Sequence, residues 1–240
     1  MKLNLKNVTL VCVASDYKKP YVNMSVKAIE ICQNFADFGA VKFFTDMPID
    51  TDLFEVHRIL PITSIQEYNK FMLMKLPYVI DTDYCLVIQY DGFIVNPYAW
   101  TDDFLKYDYI GANGFLRFGR YMPVNGGFSL RSRKFLHAQK MIISNLELDN
   151  FEVNEDLLLV DYLRHYFESM GIKFATNEIA DKFSTENGNY DDNKSFGFHD
   201  FHFNLPYKIL AESQYKFELE RQKEEFQKFK PIEKPEDVQI

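Results

Sequence analysis

Two rhythms alternate along the chain. Val8 to Ala14 and Cys85 to Ile88 are unbroken apolar runs, the pattern of strands buried on both faces of a mostly parallel sheet. Between them, Val26, Ile29, Cys32 and Phe35 or Ala36 repeat at helical spacing and predict a helix over Val22 to Phe38. Val41 to Thr45 and Phe54 to Leu60 read as shorter strands. Ser64, with Glu67 three residues on, forms a capping-box pattern for a helix running toward Lys75, and Pro77 ends or kinks it. Beyond the Cys85 run come a loop at Pro97 to Trp100, a short helix near Asp102 to Leu105 and a strand at Tyr109 to Ala112. Asn154 opens a further helix with Leu159, Leu163, Tyr166 and Met170 on one stripe, closed by Gly171. Strand and helix patterns in alternation predict an α/β fold with a mostly parallel central sheet flanked by helices.

Composition narrows the function classes. With 240 residues, 47% hydrophobic and 26% charged, the chain has the length for one α/β domain with a substantial core. Its 23 Phe and 15 Tyr predict broad apolar and stacking surfaces, most of them core. A formal charge of −8 argues against nucleic acid as a partner, because an acidic surface releases no counterions from phosphates. Cys12, Cys32 and Cys85 have no metal-type spacing and read as buried thiols of a reducing compartment. The apolar run at Val8 is too short to span a membrane and lacks a cleavage region, so the expected location is cytoplasmic, with peripheral membrane attachment left open.

Four segments carry candidate chemistry. The Cys85 run breaks into Gln89-Tyr90-Asp91-Gly92. In open α/β sheets ligands bind outside the carboxyl ends of the strands, so Asp91 can meet a ligand or metal there; the same four residues also describe a solvated Asp-Gly turn. Gly126-Gly127, in Val124 to Ser132, leads into a strand and a helix starting near Ser132. The pair either opens positive φ and close backbone approach to a ligand, or is a plain turn. Glu155 and Asp156 follow the helix cap Asn154, where the helix dipole alone accounts for two acids, while a rigidly held carboxylate there can also act as a base. His199 and His202 are the only close histidine pair, suited to a metal, a phosphate or plain solvent exposure. No GxGxxG follows the first strand, and GxxxxGK[ST], GxSxG and HExxH are absent, which removes the usual dinucleotide, P-loop, serine-hydrolase and zinc-protease patterns.

In their order and spacing, the first strand, Gln89-x-Asp91-Gly92, Asp108 to Ala112, Asn125 to Ser132, Asn154-Glu155-Asp156, Phe183-Ser184-x-Glu186 and Gly197-x-His199 resemble a family of little-characterised glycosyltransferases with the GT-A fold, over roughly residues 8 to 203. The resemblance implies a nucleotide-diphosphosugar donor and a glycan or lipid-linked acceptor. It makes Asp91 the last carboxylate of an Asp-x-Asp element holding Mn²⁺ or Mg²⁺, with His199 as a further ligand and Gln89 in place of the first acid. It implies Asp156 as the base of an inverting transfer, with Glu155 as the alternative; Ser15 and Asp16 line the nucleotide pocket, Lys75 or His199 meets the diphosphate, and Gly126 and Gly127 admit the donor sugar or acceptor. A non-catalytic sugar- or nucleotide-binding protein and a sugar nucleotidyltransferase are the rival readings. The expected organisation is a transferase domain over 1–207, a charged amphipathic helix over 208–230 that either packs on the domain or offers a seam for a homodimer or partner protein, and a disordered tail over 231–240.

Overall fold

The computed structural model describes residues 2–16, 21–115, 120–146, 153–186 and 194–200. The expected C-terminal helix and tail, and His202, lie outside these residues.

A six-stranded sheet forms the framework. Strand β1 (Leu3–Val13) is followed by helix α1 (Tyr21–Phe35), β2 (Ala36–Thr45), β3 (Glu55–Arg58), helix α2 (Ile65–Met74) and β4 (Tyr84–Ile88). Then come β5 (Tyr109–Ile110), the hairpin β6 (Asn113–Phe115) and β7 (Tyr121–Pro123), β8 (Ser129–Ser132) and helix α3 (Arg133–Ile143). The last elements are α4 (Glu155–Leu157), α5 (Arg164–Ser169), α6 (Asn177–Phe183), β9 (Ser184–Thr185) and β10 (Gly197–Phe198). Strand order in the sheet is β3-β2-β1-β4-β8-β5. The first four strands are parallel, and β8 runs antiparallel to both β4 and β5. From β1 the chain builds outward through β2 and β3, then returns to add β4 on the other side. The sheet therefore reverses its winding between β1 and β4, and a crevice opens at their carboxyl ends.

Side chains alternate across β1 and β4. Val11, Val13, Cys85 and Val87 enter a core with Met72 and Leu73 of α2, Phe135 and Leu136 of α3, and Phe167 of α5. Cys12 instead meets Ser25 of α1. Cys12, Cys32 and Cys85 are free and buried, and burial pushes each thiol up to about 12, so they serve as small apolar groups.

Two expected elements are corrected. The first helix ends at Phe35, not Phe38, because Ala36, Asp37 and Phe38 pair with Leu3, Asn4 and Leu5 of β1. Here sheet pairing overrides a continuing helical pattern. After α4 the chain makes a π-helical stretch, Leu158–Tyr162, before α5. The extra residue per turn slips the apolar stripe: Leu158, Leu159, Val160, Leu163 and Phe167 are buried, while Tyr166 is 53% exposed. Gly171 does close the segment, at φ +76°.

The aromatic wealth of the sequence has a definite place. Phe104, Phe128, Phe183 and Phe196 are all fully buried and pack ring on ring, with centroids of Phe128 and Phe183 5.1 Å apart and of Phe104 and Phe183 5.3 Å. Phe93 meets Phe198 edge-on at 4.8 Å. Gly197 is required by this packing, since a Cβ there would fall 2.3 Å from the Phe128 ring. The cluster ties β10 to the end of β4, and the backbone N–H groups of Val95 and Asn96 both donate to Phe196 O. His199, far from Gln89 in sequence, is delivered in this way to the mouth of the crevice.

Candidate functional site

Two cavities meet at that mouth. One, of about 280 Å³, lies at the β1–β4 reversal and is lined by Ala14, Ser15, Tyr21, Ile62, Tyr68 and Tyr90 among others. The second, of about 350 Å³, lies on the β8 side and holds Asn125, Gly126, Gly127, Asn154, Asp156 and His199. Ile65, Tyr68 and Gln89 line both, so α2 and the end of β4 form the shared wall.

At the first cavity, Ser15 Oγ accepts a hydrogen bond from the Ile62 N–H at 3.0 Å, drawing the segment before α2 over the end of β1. Asp16 is exposed, and its Oδ1 accepts from the Val22 N–H at 2.8 Å at the start of α1. Ser15 is thus in the cavity, whereas Asp16 orients a helix beside it. The capping box expected for α2 forms with a shift of one residue. Ser64 Oγ accepts from the Glu67 N–H, and the Glu67 carboxylate accepts from the N–H and hydroxyl of Thr63. Lys75 is the C-cap of α2, exposed at the end away from Ile65 and Tyr68. It lines neither cavity, and among the described residues lining them there is no lysine or arginine.

The shared wall is a chain of side-chain hydrogen bonds. Gln89 Nε2 donates to Tyr68 Oη at 2.8 Å, and Gln89 Oε1 accepts from His199 Nε2 at 3.0 Å. His199 Nδ1 lies 2.9 Å from Asn125 Nδ2 and 3.2 Å from Glu186 Oε1. The neutral ring accepts from the amide, and the charged ring donates to the carboxylate. Burial works against the charged ring, but the carboxylates of Glu186, Asp91 and Asp200 outweigh it and hold the imidazole up to about 9. Asp91 lines neither cavity; its Oδ1 lies 3.8 Å from His199 Nε2 and, among the described residues, is buried without a hydrogen-bond partner. Burial raises the Asp91 carboxyl above its ordinary value, partly offset by His199.

On the β8 side the two glycines have negative φ; among the described glycines only Gly171 is positive. Their role is close approach. A Cβ on Gly127 would fall 2.1 Å from His199 Nε2, and one on Gly126 would fall 2.8 Å from Glu155 Oε1. Asn125 Oδ1 accepts from the N–H groups of Gly127 and Phe128, closing the turn into β8. The Gly126 N–H donates to Asp156 Oδ2 at 3.0 Å, and the Leu157 N–H donates to Asp156 Oδ1 at 2.7 Å. Burial and the adjacent Glu155 charge raise the Asp156 carboxyl to about 7, against the pull of these two hydrogen bonds.

Glu155 is engaged in structure. It is 3% exposed and pairs with Arg131 Nη2 at 3.0 Å; Arg131 is fully buried, and its Nε donates to Ser129 Oγ. The candidate base and its alternative are therefore not equivalent: both line the second cavity, but Asp156 is held by two backbone N–H groups, whereas Glu155 is bound to an internal guanidinium. Asn154 occupies the cap position without a side-chain cap hydrogen bond.

Sequence reading passed over Tyr68, Asn125, Arg131 and Glu186 as site residues. Asn125 and Glu186 stood inside the quoted motifs and carried a signal there. Arg131 stood in the Asn125 to Ser132 motif too, but nothing there marked it as buried, and Tyr68 is an ordinary helix residue until the sheet closes.

The family model described as "Protein of unknown function (DUF5672)" matches residues 51–199. The chain belongs to that family. The matched span runs from before β3 to His199, so it holds Gln89, Asp91, Gly126, Gly127, Asp156 and His199 but not Ser15 or Asp16. Among solved structures, the apo-form glycosyltransferase GlyE of Streptococcus pneumoniae TIGR4 is similar at 13% identity and a TM-score of 0.50, over 92% of this chain and 63% of that one. A glycosyltransferase involved in the glycosylation of the major capsid of PBCV-1 is similar at 13% identity and a TM-score of 0.46, over 88% and 98% of the two chains. No curated protein matches. The fold is the α/β, GT-A-like arrangement expected from the sequence, a mostly parallel sheet flanked by helices. Among the described residues no helix is long and apolar enough to cross a membrane.

The divalent cation implied by the resemblance would find few protein ligands at the end of β4. Among the described residues no group of three or more His, Cys, Asp or Glu is placed to hold a metal ion. Gln89 Oε1 is occupied by His199 Nε2, and His199 Nδ1 by Asn125 and Glu186. Among the described residues, Asp91 Oδ1 is left without a partner there, so a cation would be held through one carboxylate and would take its other oxygens from water and substrate phosphates.

Proposed function

We propose that this chain is a glycosyltransferase that moves a sugar from a nucleotide-diphosphosugar to a hydroxyl of a glycan or lipid-linked acceptor, with inversion at the anomeric carbon. The observation that carries the reading is the pair of neighbouring cavities that share Ile65, Tyr68 and Gln89 as a wall at the end of β4, with a carboxylate of raised proton affinity lining the second. Tyr21, Tyr90, Ile62 and Tyr68 give the first cavity aromatic and apolar walls, and Ser15 and Gln89 add a few polar groups, a lining that suits a nucleoside. The second cavity receives the sugar and the acceptor. There the acceptor oxygen attacks the anomeric carbon as the bond to the diphosphate breaks, and its proton passes to Asp156.

A base titrating near 7 is poised for that transfer at neutral pH, because it is substantially ionised yet still basic. Gly126, Gly127 and Asn154 line the cavity beside Asp156, and the Asn154 side chain makes no cap hydrogen bond. The deciding test is binding followed by transfer. A calorimetric panel of nucleoside diphosphates and sugar nucleotides is expected to give one preferred base, competed by the free diphosphate. Incubation of the preferred sugar nucleotide with simple glycosides is then expected to release the nucleoside diphosphate. A panel with no binder, at protein concentrations that detect millimolar affinity, would remove the proposal.

A further inference from the structure

We propose that the Tyr68 hydroxyl, held by Gln89, donates a hydrogen bond to the diphosphate of the donor where it crosses the wall between the two cavities. The inference rests on the glycosyl-transfer reading above and adds to it a residue that meets the leaving group.

The two cavities fix where the diphosphate must lie. With the nucleoside in the first and the sugar in the second, the linking phosphates pass Ile65, Tyr68 and Gln89, the three residues that line both. Ile65 has nothing to offer an oxyanion. Among the described residues no lysine or arginine lines either cavity. Neutral N–H and O–H donors are therefore what this wall places along the phosphate path, beside any cation held through Asp91.

Hydrogen-bond direction decides what Tyr68 presents. An amide oxygen only accepts, so Gln89 Oε1 takes the hydrogen of His199 Nε2 at 3.0 Å, and this turns Gln89 Nε2 toward Tyr68 Oη at 2.8 Å. Nε2 only donates, so Tyr68 Oη is the acceptor in that bond and its own hydrogen is left to give. Among the described residues that hydrogen has no acceptor, and neither has the second hydrogen on Gln89 Nε2. The acceptors on the wall are engaged and its donors are spare, a pattern that suits an anion. Burial and the nearby Glu155 charge raise the Tyr68 phenol above its ordinary value, so it stays protonated at neutral pH.

The hydroxyl is also held in place before a ligand arrives. The Tyr68 ring packs against the core that contains Met72 and Leu73. Its neighbour Asn69 accepts from the Glu155 N–H at 3.3 Å and donates to Val153 O, which ties α2 to the segment carrying Asp156. As the bond from the anomeric carbon to the phosphate oxygen breaks, its electron pair stays on that oxygen. A donor already aimed at the diphosphate then gains strength as the charge grows, with no proton leaving Tyr68.

Calorimetry of UDP and GDP with wild type and Tyr68→Phe, in Mn²⁺ throughout, tests this, with uridine and guanosine measured by displacement of the diphosphate. Tyr68→Phe keeps the ring and removes one oxygen. It is expected to leave the circular dichroism spectrum and nucleoside affinity unchanged while weakening the diphosphate about 10- to 100-fold. In steady-state transfer its kcat is expected to fall about 10-fold or more. Equal diphosphate affinity in the two proteins overturns the inference and leaves the glycosyl-transfer reading standing. An equal loss for nucleoside and diphosphate also overturns it, because a general disturbance of the wall would produce that. Weaker diphosphate binding with an unchanged kcat overturns the role at the leaving group. Should neither UDP nor GDP bind, the diphosphate and nucleoside of the base found in the wider panel take their place. A panel with no binder removes the reading, and the inference falls with it.

Discussion

At the scale of single residues, Asp156 and Glu155 show how two adjacent acids at one helix start acquire different work. Glu155 pairs with a fully buried arginine, and Asp156 keeps its carboxylate on the cavity. If Asp156 is the base, Asp156→Asn is expected to lower transfer about 10²- to 10⁴-fold in steady-state assays, with donor affinity nearly constant. The base must be ionised to act, so wild-type kcat/KM is expected to fall as pH drops through about 7. Glu155→Gln removes a neighbouring negative charge and leaves Arg131 uncompensated. Both effects lower the proton affinity of Asp156, so the acid limb of the profile is expected to move to lower pH. The same substitution breaks a buried ion pair from one side and is expected to cost about 3–5 kcal/mol in denaturant melts. Stability carries its own sign. A carboxyl raised from 3.8 to about 7 binds its proton more strongly in the folded state. Between these values folding is favoured at the acid end, so wild type is expected to lose stability relative to Asp156→Asn as pH rises from about 4 to 7.

Elements place these residues through their junctions more than through their interiors. Ser132 ends β8 and starts α3: its Oγ accepts from the Phe135 N–H at 3.0 Å and donates to Asp108 Oδ1 at 2.6 Å. Asp108 in turn accepts from the Lys173 N–H at 2.8 Å, joining the segment after α5 to the edge of the sheet. Ser132→Ala removes a cap and leaves a buried carboxylate short of a donor, and is expected to cost about 1–3 kcal/mol. A chain of this size is expected to show a fall in Tm of roughly 2–4 °C for each kcal/mol, measurable by calorimetry. The π-helical stretch at Leu158–Tyr162 is the other junction of consequence. It turns Phe167 rather than Tyr166 into the core, in the segment that follows α4, the element that carries Asp156.

For the whole molecule, the reversal of winding between β1 and β4 makes a specific prediction about where a nucleotide is felt. Hydrogen exchange in the presence of the preferred nucleoside diphosphate is expected to protect peptides spanning Val13 to Ser15 and Gln89 to Tyr90. Peptides around Asp52 to Glu55, beside a third cavity of about 440 Å³ lined by Lys2, Lys6 and Asp37, are expected to remain unchanged. The reverse pattern would relocate the site away from the crevice. How much of this was legible beforehand follows from the reach of each interaction. Unbroken apolar runs, the Ser64 cap, the Gly171 stop and a carboxylate at the end of a strand are local signals, so the chain by itself determined an α/β sheet, four of its parallel strands and the positions of Asp91 and Asp156. Contacts between distant segments decided the rest. Pairing with β1 ended α1 early, the aromatic cluster brought His199 to Gln89, and the buried Arg131 took Glu155 as its ion-pair partner. Hydrogen bonds and ion pairs reach only a few ångströms in space, so residues more than a hundred positions apart acquire their roles only once the sheet has closed around them.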